Sequence, residues 1–216
     1  DLRESKKAQQ ESLKNELVAD YTKLDSQKRQ KQQMLADTKN SESVYQTLLA
    51  QAFAERQAIE KAMVDATKVG PVKKGDPIAL FGNSGYPGCS TGAHLHFEVR
   101  QSGSWVNAES YLSGRDVQDE QNGGTSHIGS GSWDWPLEGD IVVTQRFGKT
   151  PYSWRYAYSG GIHTGVDMVS NTSTVIRAPA DGTLYSSSES CGSGSIIKIK
   201  YIEHENGITS FYLHVQ

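Results

Sequence analysis

Proline and cysteine are scarce in this chain, with 6 and 2 residues respectively among 216. From Asp1 through Met63 there is neither a proline nor a glycine, and Gln, Lys, Glu, Ala and Leu dominate. Nothing in that stretch breaks a helix. No apolar run approaches the length of a membrane span, so no spanning helix is predicted. No excess of positive charge exists either: the formal net charge is -3, which gives no footing for nucleic acid or an anionic surface. The basic residues Lys28, Arg29 and Lys31 cluster, but acidic neighbours are scattered among them, as on a solvated helix face. No signal peptide is visible, and the chain opens on Asp1, from which a processed product is expected. Cys89 and Cys191 lack the short spacing of a structural zinc site. They either pair, which would favour an oxidising compartment, or remain free.

What is present falls into two parts. Up to residue 67, Leu17, Leu24, Thr38, Tyr45, Ala52 and Ile59 share one seven-residue register, with Tyr21, Leu35, Leu49 and Met63 four residues behind it. This is the a/d seam of a coiled coil, imperfect where Lys28, Lys31, Glu42 and Arg56 enter it. Residues 38–41 read as a hinge. Such an arm is a spacer, or it pairs with another helix or a membrane-complex partner. From Val69 onward, Gly, Ser, aromatic and β-branched residues take over. Strands are predicted at 77–81, 94–100, 104–106, 141–147, 166–169, 174–178, 182–186, 196–202 and 208–215. Asn206-Gly207 marks a hairpin between the last two. The polar, Gly-rich stretch 113–132 reads as a flexible connector.

Histidines mark three segments that carry chemistry. On a strand, His94, His96 and Glu98 point one way while Leu95, Phe97 and Val99 point the other. By itself, such a pair of imidazoles is more often a surface accident than a metal site. His163 and Asp167 flank Gly165 and Val166, which argue against a helix, yet a turn into a strand would aim both at one point. In Phe211-Tyr212-Leu213-His214-Val215 the apolar and polar residues alternate again. His, Asp and His as ligands, with two spare imidazoles, suit a zinc ion that keeps one position open for water. No His-Glu-x-x-His helix is present, which excludes the common helical zinc-peptidase pattern. Tyr152, Tyr156 and Tyr158 are read as aromatic packing, with oxyanion donation by one of them as the alternative; His127 and His204 as surface residues; and Trp133, Trp135 and Trp154 as core, with a sugar or peptide groove as the alternative.

Together, Ile162–Asp167, Tyr212-Leu213-His214 and Ser90–Val99 resemble the three signature segments of LytM/lysostaphin-type zinc metallopeptidases. Ala178-Pro179-Ala180-Asp181-Gly182 and Val72-Lys73-Lys74-Gly75-Asp76 do so too, and the likeness covers residues 69–112 and 133–216. It implies that His163, Asp167 and His96 bind Zn2+ and that His94 and His214 are the catalytic imidazoles. It further implies a peptidoglycan peptide as substrate and an extracytoplasmic location. The order of segments departs from the family: the His-x-His part comes first, so the domain reads as circularly permuted. Residues 68–112 would be the usual C-terminal half and 133–216 the usual N-terminal half. Ala93 stands where relatives often carry proline. The expected fold class is α+β and multidomain: a long coiled-coil helix over 1–67, then an antiparallel all-β peptidase domain over 68–216. Two rival readings are a non-catalytic regulator that activates a separate wall amidase, and a wall-binding module that holds zinc without hydrolysis. Helix entry next to the His214 strand would also let the arm gate the cleft.

Overall fold

A computed structural model describes residues 40–216. The heptad positions Leu17, Tyr21, Leu24, Lys28, Lys31, Leu35 and Thr38, and the first half of the expected hinge, lie outside the described residues. Two compact units divide between Gln46 and Thr47. Of the first, residues 40–46 are described; they are helical, and Gln46 Nε2 donates to Glu42 Oε1 at 2.8 Å. The second unit, from Thr47 to Gln216, holds everything that follows.

One α-helix, α1 (residues 40–65), is found among the described residues, and the coiled-coil expectation is corrected here. Gln51, Glu55, Ala58 and Ala62, spaced four, three and four, turn inward together with Ala52 and Ile59. Ala58, Ile59 and Ala62 pack on Ile197, Ile199, Tyr201, Phe211 and Leu213 of a β-sheet. The apolar stripe therefore covers the chain's own sheet instead of a second helix. Two expected seam residues, Tyr45 and Met63, are 37% and 42% exposed. Because a sheet face and a partner helix offer the same apolar surface, a heptad in the sequence does not say which one covers it.

The sheet is mixed and ten-stranded, not all antiparallel. Its strands are β1 (Thr67–Val72), β3 (Leu95–Gln101), β4 (Ser104–Val106), β5 (Arg115–Asp119), β6 (Thr125–Ile128), β7 (Ile141–Gln145), β8 (Gly165–Ser170), β10 (Gly182–Ser190), β11 (Ile196–Glu203) and β12 (Ile208–Leu213). The spatial order is β1-β10-β11-β12-β3-β8-β7-β5-β6, with β4 beside β3; β2 (Pro77–Leu80) and β9 (Val175–Arg177) pair separately. Parallel pairing of β5 with β7 makes the sheet mixed. The stretch read as a flexible connector supplies the β5–β6 hairpin. Val117 and Ile128 there reach the main core, and Asp119 accepts from Asn122 N and Nδ2 to close the turn. β1 is a further strand that the sequence hides: its Gly70-Pro71 pair is tolerated because β1 is an edge strand with a register shift at that point.

Both faces of the central strands β3 and β12 are covered. Leu95, Phe97, Val99, Val166, Met168 and Tyr212 belong to one core. Phe211 and Leu213 pair with Glu98 and His96 and lie on the opposite face, under α1. Cys89 and Cys191 are joined as a disulfide, with Cα atoms 5.7 Å apart, at the margin of that second core.

Candidate metal centre

Register assembles the site. Asp167 on β8 is opposite His96 on β3 and opposite Gln145 on β7, so three polar side chains form a row across three strands. Paired residues of an antiparallel ladder share a face, which is the face covered by α1. Residues from the two ends of the β region meet because β3 is inserted between β12 and β8. Gly165 is required for this approach: a Cβ there would lie 2.6 Å from His96 Nε2 and 2.7 Å from the Phe97 carbonyl. His163 precedes β8, where its backbone exchanges two hydrogen bonds with Gly148.

Three ligand atoms converge. His96 Nδ1 is 2.8 Å from Asp167 Oδ1 and 3.1 Å from His163 Nε2. His163 Nε2 is 3.2 Å from Asp167 Oδ1. For comparison, tetrahedral coordination with bonds of about 2.0–2.1 Å puts ligands about 3.3 Å apart. The triangle is therefore close to the face of such a tetrahedron, and this group could hold a metal ion. Charge makes the same point. Asp167, Glu98 and Glu55 all surround the buried His96 imidazole, a setting that calls for positive charge at its centre. Without a metal that charge is a proton. Burial works against a charged His96, but hydrogen bonding to Asp167 and the fields of the carboxylates overcome it and raise its pKa well above the usual value. Burial likewise opposes ionisation of Asp167, and the imidazoles around it hold its carboxyl well below the usual range.

His163, His94 and His214 are each oriented by a far-side hydrogen bond to a backbone carbonyl. His163 Nδ1 donates to the Arg146 carbonyl at 3.0 Å, which leaves Nε2 for the site. His96 presents Nδ1 instead, with Nε2 3.7 Å from Glu98 Oε2. His94 Nδ1 donates to the Gly92 carbonyl at 2.8 Å, and its Nε2 is 3.8 Å from Asp167 Oδ1. His214 Nδ1 donates to the Ser84 carbonyl at 2.9 Å. His214 follows the last residue of β12 with φ at 61°, so it leaves the strand alternation and its ring stands 4.5 Å from that of His94. Burial pushes the His94 pKa down, which keeps that imidazole neutral near pH 7. All five residues expected to carry chemistry thus line or adjoin one cleft.

Three further groups surround the ligands, of which Gln145 and Glu55 were not foreseen. Gln145 Nε2 donates to Asp167 Oδ2 at 3.0 Å and meets Tyr156 OH at 2.5 Å. Tyr156, expected as packing, borders the cleft together with Arg155 and Thr144. Glu55 enters from α1, its Oε1 lying 3.3 Å from His214 Nε2 and 3.8 Å from His96 Nδ1. Burial disfavours its charge, yet the His214 and His96 imidazoles prevail and hold its pKa at about 2. A glutamate in a polar helix carries no sign of this in the sequence; only its place in the 51, 55, 58, 62 stripe marks it as inward.

The remaining candidates lie elsewhere. His127 is exposed and pairs with Asp116. His204 is half-buried, packed on Trp133, with contacts to the Asp181 carbonyl and Ser210 Oγ. Trp135 is in the core and Trp133 packs beside it. Among the described residues no helix is long and apolar enough to cross a membrane. No protein-family model, curated protein or solved structure matches the chain.

Proposed function

We propose that this chain is a zinc-dependent endopeptidase that hydrolyses peptide bonds in the stem peptides or cross-bridges of bacterial peptidoglycan. The observation that carries the reading is the convergence of His96 Nδ1, His163 Nε2 and Asp167 Oδ1 beside two further imidazoles, His94 and His214. The resemblance of the three histidine segments to LytM/lysostaphin-type peptidases supports the substrate class. Two imidazole nitrogens and one carboxylate oxygen form a donor set that suits zinc and leaves a fourth position open. Zinc, when bound, polarises a peptide carbonyl and brings the pKa of water to about 7.

The chain's own residues do the rest. His96, His163 and Asp167 hold the ion; Gln145 fixes Asp167 through a hydrogen bond, and Glu98 places a second carboxylate near His96. His94 and His214, each anchored through Nδ1 to a backbone carbonyl, keep Nε2 toward the cleft. One takes a proton as water adds to the carbonyl carbon; as the C–N bond breaks, a proton is delivered to the leaving amine. The Cys89–Cys191 disulfide supports an extracytoplasmic location, because such bonds persist in oxidising compartments.

Metal content by mass spectrometry on the purified chain and on Asp167→Ala tests the reading, followed by digestion of purified wall. About one zinc per chain, lost in the variant, together with released wall peptides, is the expected result. A chain that takes up no zinc after supplementation refutes it and leaves the amidase-regulator reading in the lead.

A further inference from the structure

The two imidazoles beside the metal ligands are both anchored on one loop, residues 82–93, between β2 and β3. His214 Nδ1 donates to the Ser84 carbonyl at 2.9 Å, and His94 Nδ1 to the Gly92 carbonyl at 2.8 Å. The three metal ligands are held elsewhere. His96 and Asp167 are paired across β3 and β8, and His163 is fixed by Gly148 and the Arg146 carbonyl.

The two ends of the loop are secured by different means. Near Ser84 the ties reach β11: Lys198 N donates to Ser84 Oγ at 3.0 Å, and Gly85 N to the Ile196 carbonyl at 2.8 Å. Gly88 N donates to Ser195 Oγ at 3.2 Å, and a Cβ on Gly88 would lie 1.9 Å from the Cys191 carbonyl. The next link is covalent, from Cys89 to Cys191. Residues 89–93 then line the cleft as one of its walls. The contacts of Ser90 Oγ stay inside the loop, 2.7 Å to Asn83 Oδ1 and 3.0 Å to the Gly92 carbonyl. Thr91 and Ala93 are exposed, and a Cβ on Gly92 would meet no atom within 4 Å. A wall this open on its outer side takes its position from its two ends, the disulfide and β3.

From this arrangement we infer that the Cys89–Cys191 disulfide positions His94 and makes the site redox-responsive. A dithiol that reduces the bond frees the 89–93 wall, so His94 loses its Nδ1 anchor while His214 and the metal ligands keep theirs. The chemistry is thiol–disulfide exchange. A thiolate of the dithiol attacks the Cys89 sulfur, which lies on the residue that lines the cleft. The protein S–S bond breaks, and Cys191 leaves as a thiolate and takes up a proton. The second thiol of the reductant attacks the mixed disulfide and releases Cys89 as a thiol. Two electrons pass to the protein, and the dithiol becomes its own disulfide. The effect on activity rests on the proposed function; the positioning of His94 is testable in metal-free protein.

Long-range proton–nitrogen NMR spectra of the metal-free full-length chain distinguish Nδ1–H from Nε2–H rings, at a pH of about 8 where free imidazoles are neutral. In the oxidised chain His94, His214 and His204 should all be Nδ1–H, because each donates from Nδ1 to a backbone carbonyl. After reduction with dithiothreitol, verified by mass as two free thiols, His94 should lose its Nδ1–H signal to the Nε2–H form. His214 and His204 should keep theirs, and Cys89→Ser/Cys191→Ser should match the reduced chain without reductant. A His94 ring that stays Nδ1–H in the reduced chain overturns the inference. So does loss of the His204 signal together with that of His94, which would make the bond a staple of the whole domain. With the reductant removed anaerobically, zinc affinity by chelator competition should fall by far less than the roughly 10–100-fold expected for a lost ligand partner. Wall digestion should slow about tenfold or more, since a placed proton carrier contributes roughly 10²–10⁴-fold. A His94 change with slowed digestion supports both ideas. The same change with no digestion in either redox state keeps the positioning role and removes the peptidase. Digestion at one rate in both states keeps the peptidase and overturns the redox response.

Discussion

Gln145 Nε2 donates to Asp167 Oδ2 at 3.0 Å, so the carboxylate that offers Oδ1 to the site is fixed through its other oxygen. Gln145 is also 5% exposed and shares its amide with Tyr156 OH. Truncation of Gln145 to alanine should leave the fold intact and let the Asp167 carboxylate rotate. Removal of such an outer partner typically lowers metal affinity about 10–100-fold. Competition with a chromophoric chelator measures this directly: Gln145→Ala should lie between the unmodified chain and Asp167→Ala. Affinity equal to that of the unmodified chain would mean that Asp167 is held by its strand alone.

Arg100 and Glu98 form a buried pair under α1. Glu98 is 0% exposed and Arg100 3%, with Arg100 Nε 2.5 Å from Glu98 Oε1 and the guanidinium 5.1 Å above the Phe211 ring. Arg100→Met would strand a carboxylate in the core, and loss of one partner of a buried pair costs about 3–5 kcal/mol. The double variant Glu98→Gln/Arg100→Met should regain most of that, since neither charge is then left alone. Urea unfolding of the three proteins checks the cycle. Equal stability of the single and double variants would show that Glu98 is not the source of the penalty.

The histidine segments were legible because strand alternation states which side chains share a face, and His96 and Glu98 do. What alternation leaves open is what covers that face. Leu213 and Phe211 looked like the core side of β12 with Tyr212 opposite; in the structure both sides are core, and the helix supplies the second cover. The heptad in α1 was real as a stripe at Ala52 and Ile59, but its partner is the sheet. Glu55 and Gln145 were hidden for a different reason. Their roles come from tertiary register, including a register shift between Val143 and Gln145, and no local pattern encodes that. β5 and β6 were missed because they are mostly polar, with Val117, Asp119 and Ile128 as their only buried residues.

The disulfide should matter for stability as well as for location. Cys89 and Cys191 are 102 residues apart in sequence and 4% and 1% exposed, in the cluster that contacts Ala58 of α1. Loss of a native disulfide typically costs about 2–5 kcal/mol. The Cys89→Ser/Cys191→Ser variant should show that loss in urea titrations, and reductant should destabilise the unmodified chain while leaving the variant unchanged. Identical midpoints with and without reductant would mean that the bond does not form in the isolated protein.

Acid should loosen the β5–β6 hairpin before the metal-site face, and Asp119 is the reason. It is 0% exposed and accepts from Asn122 N at 3.1 Å and Asn122 Nδ2 at 2.9 Å, with Arg146 Nη1 3.5 Å away. Burial raises its pKa, but hydrogen bonds from Asn122 and Ser126 and the Arg146 charge outweigh burial and leave it below the usual value. For a carboxylate depressed in the folded state, the unfolded chain binds protons first as pH falls. The stabilisation is therefore complete above the unfolded value of 3.8 and is lost as pH falls through the lower folded one. Asp119→Asn keeps the shape but weakens the turn at neutral pH, so its melting temperature should start lower and fall less steeply below pH 3.8. Hydrogen exchange at residues 115–128 would place the effect: in the unmodified chain those amides should lose protection on acidification ahead of β11 and β12. If the two proteins melt in parallel across that range, the acid sensitivity belongs to another carboxylate, and Asp119 is held by the hairpin and not the reverse.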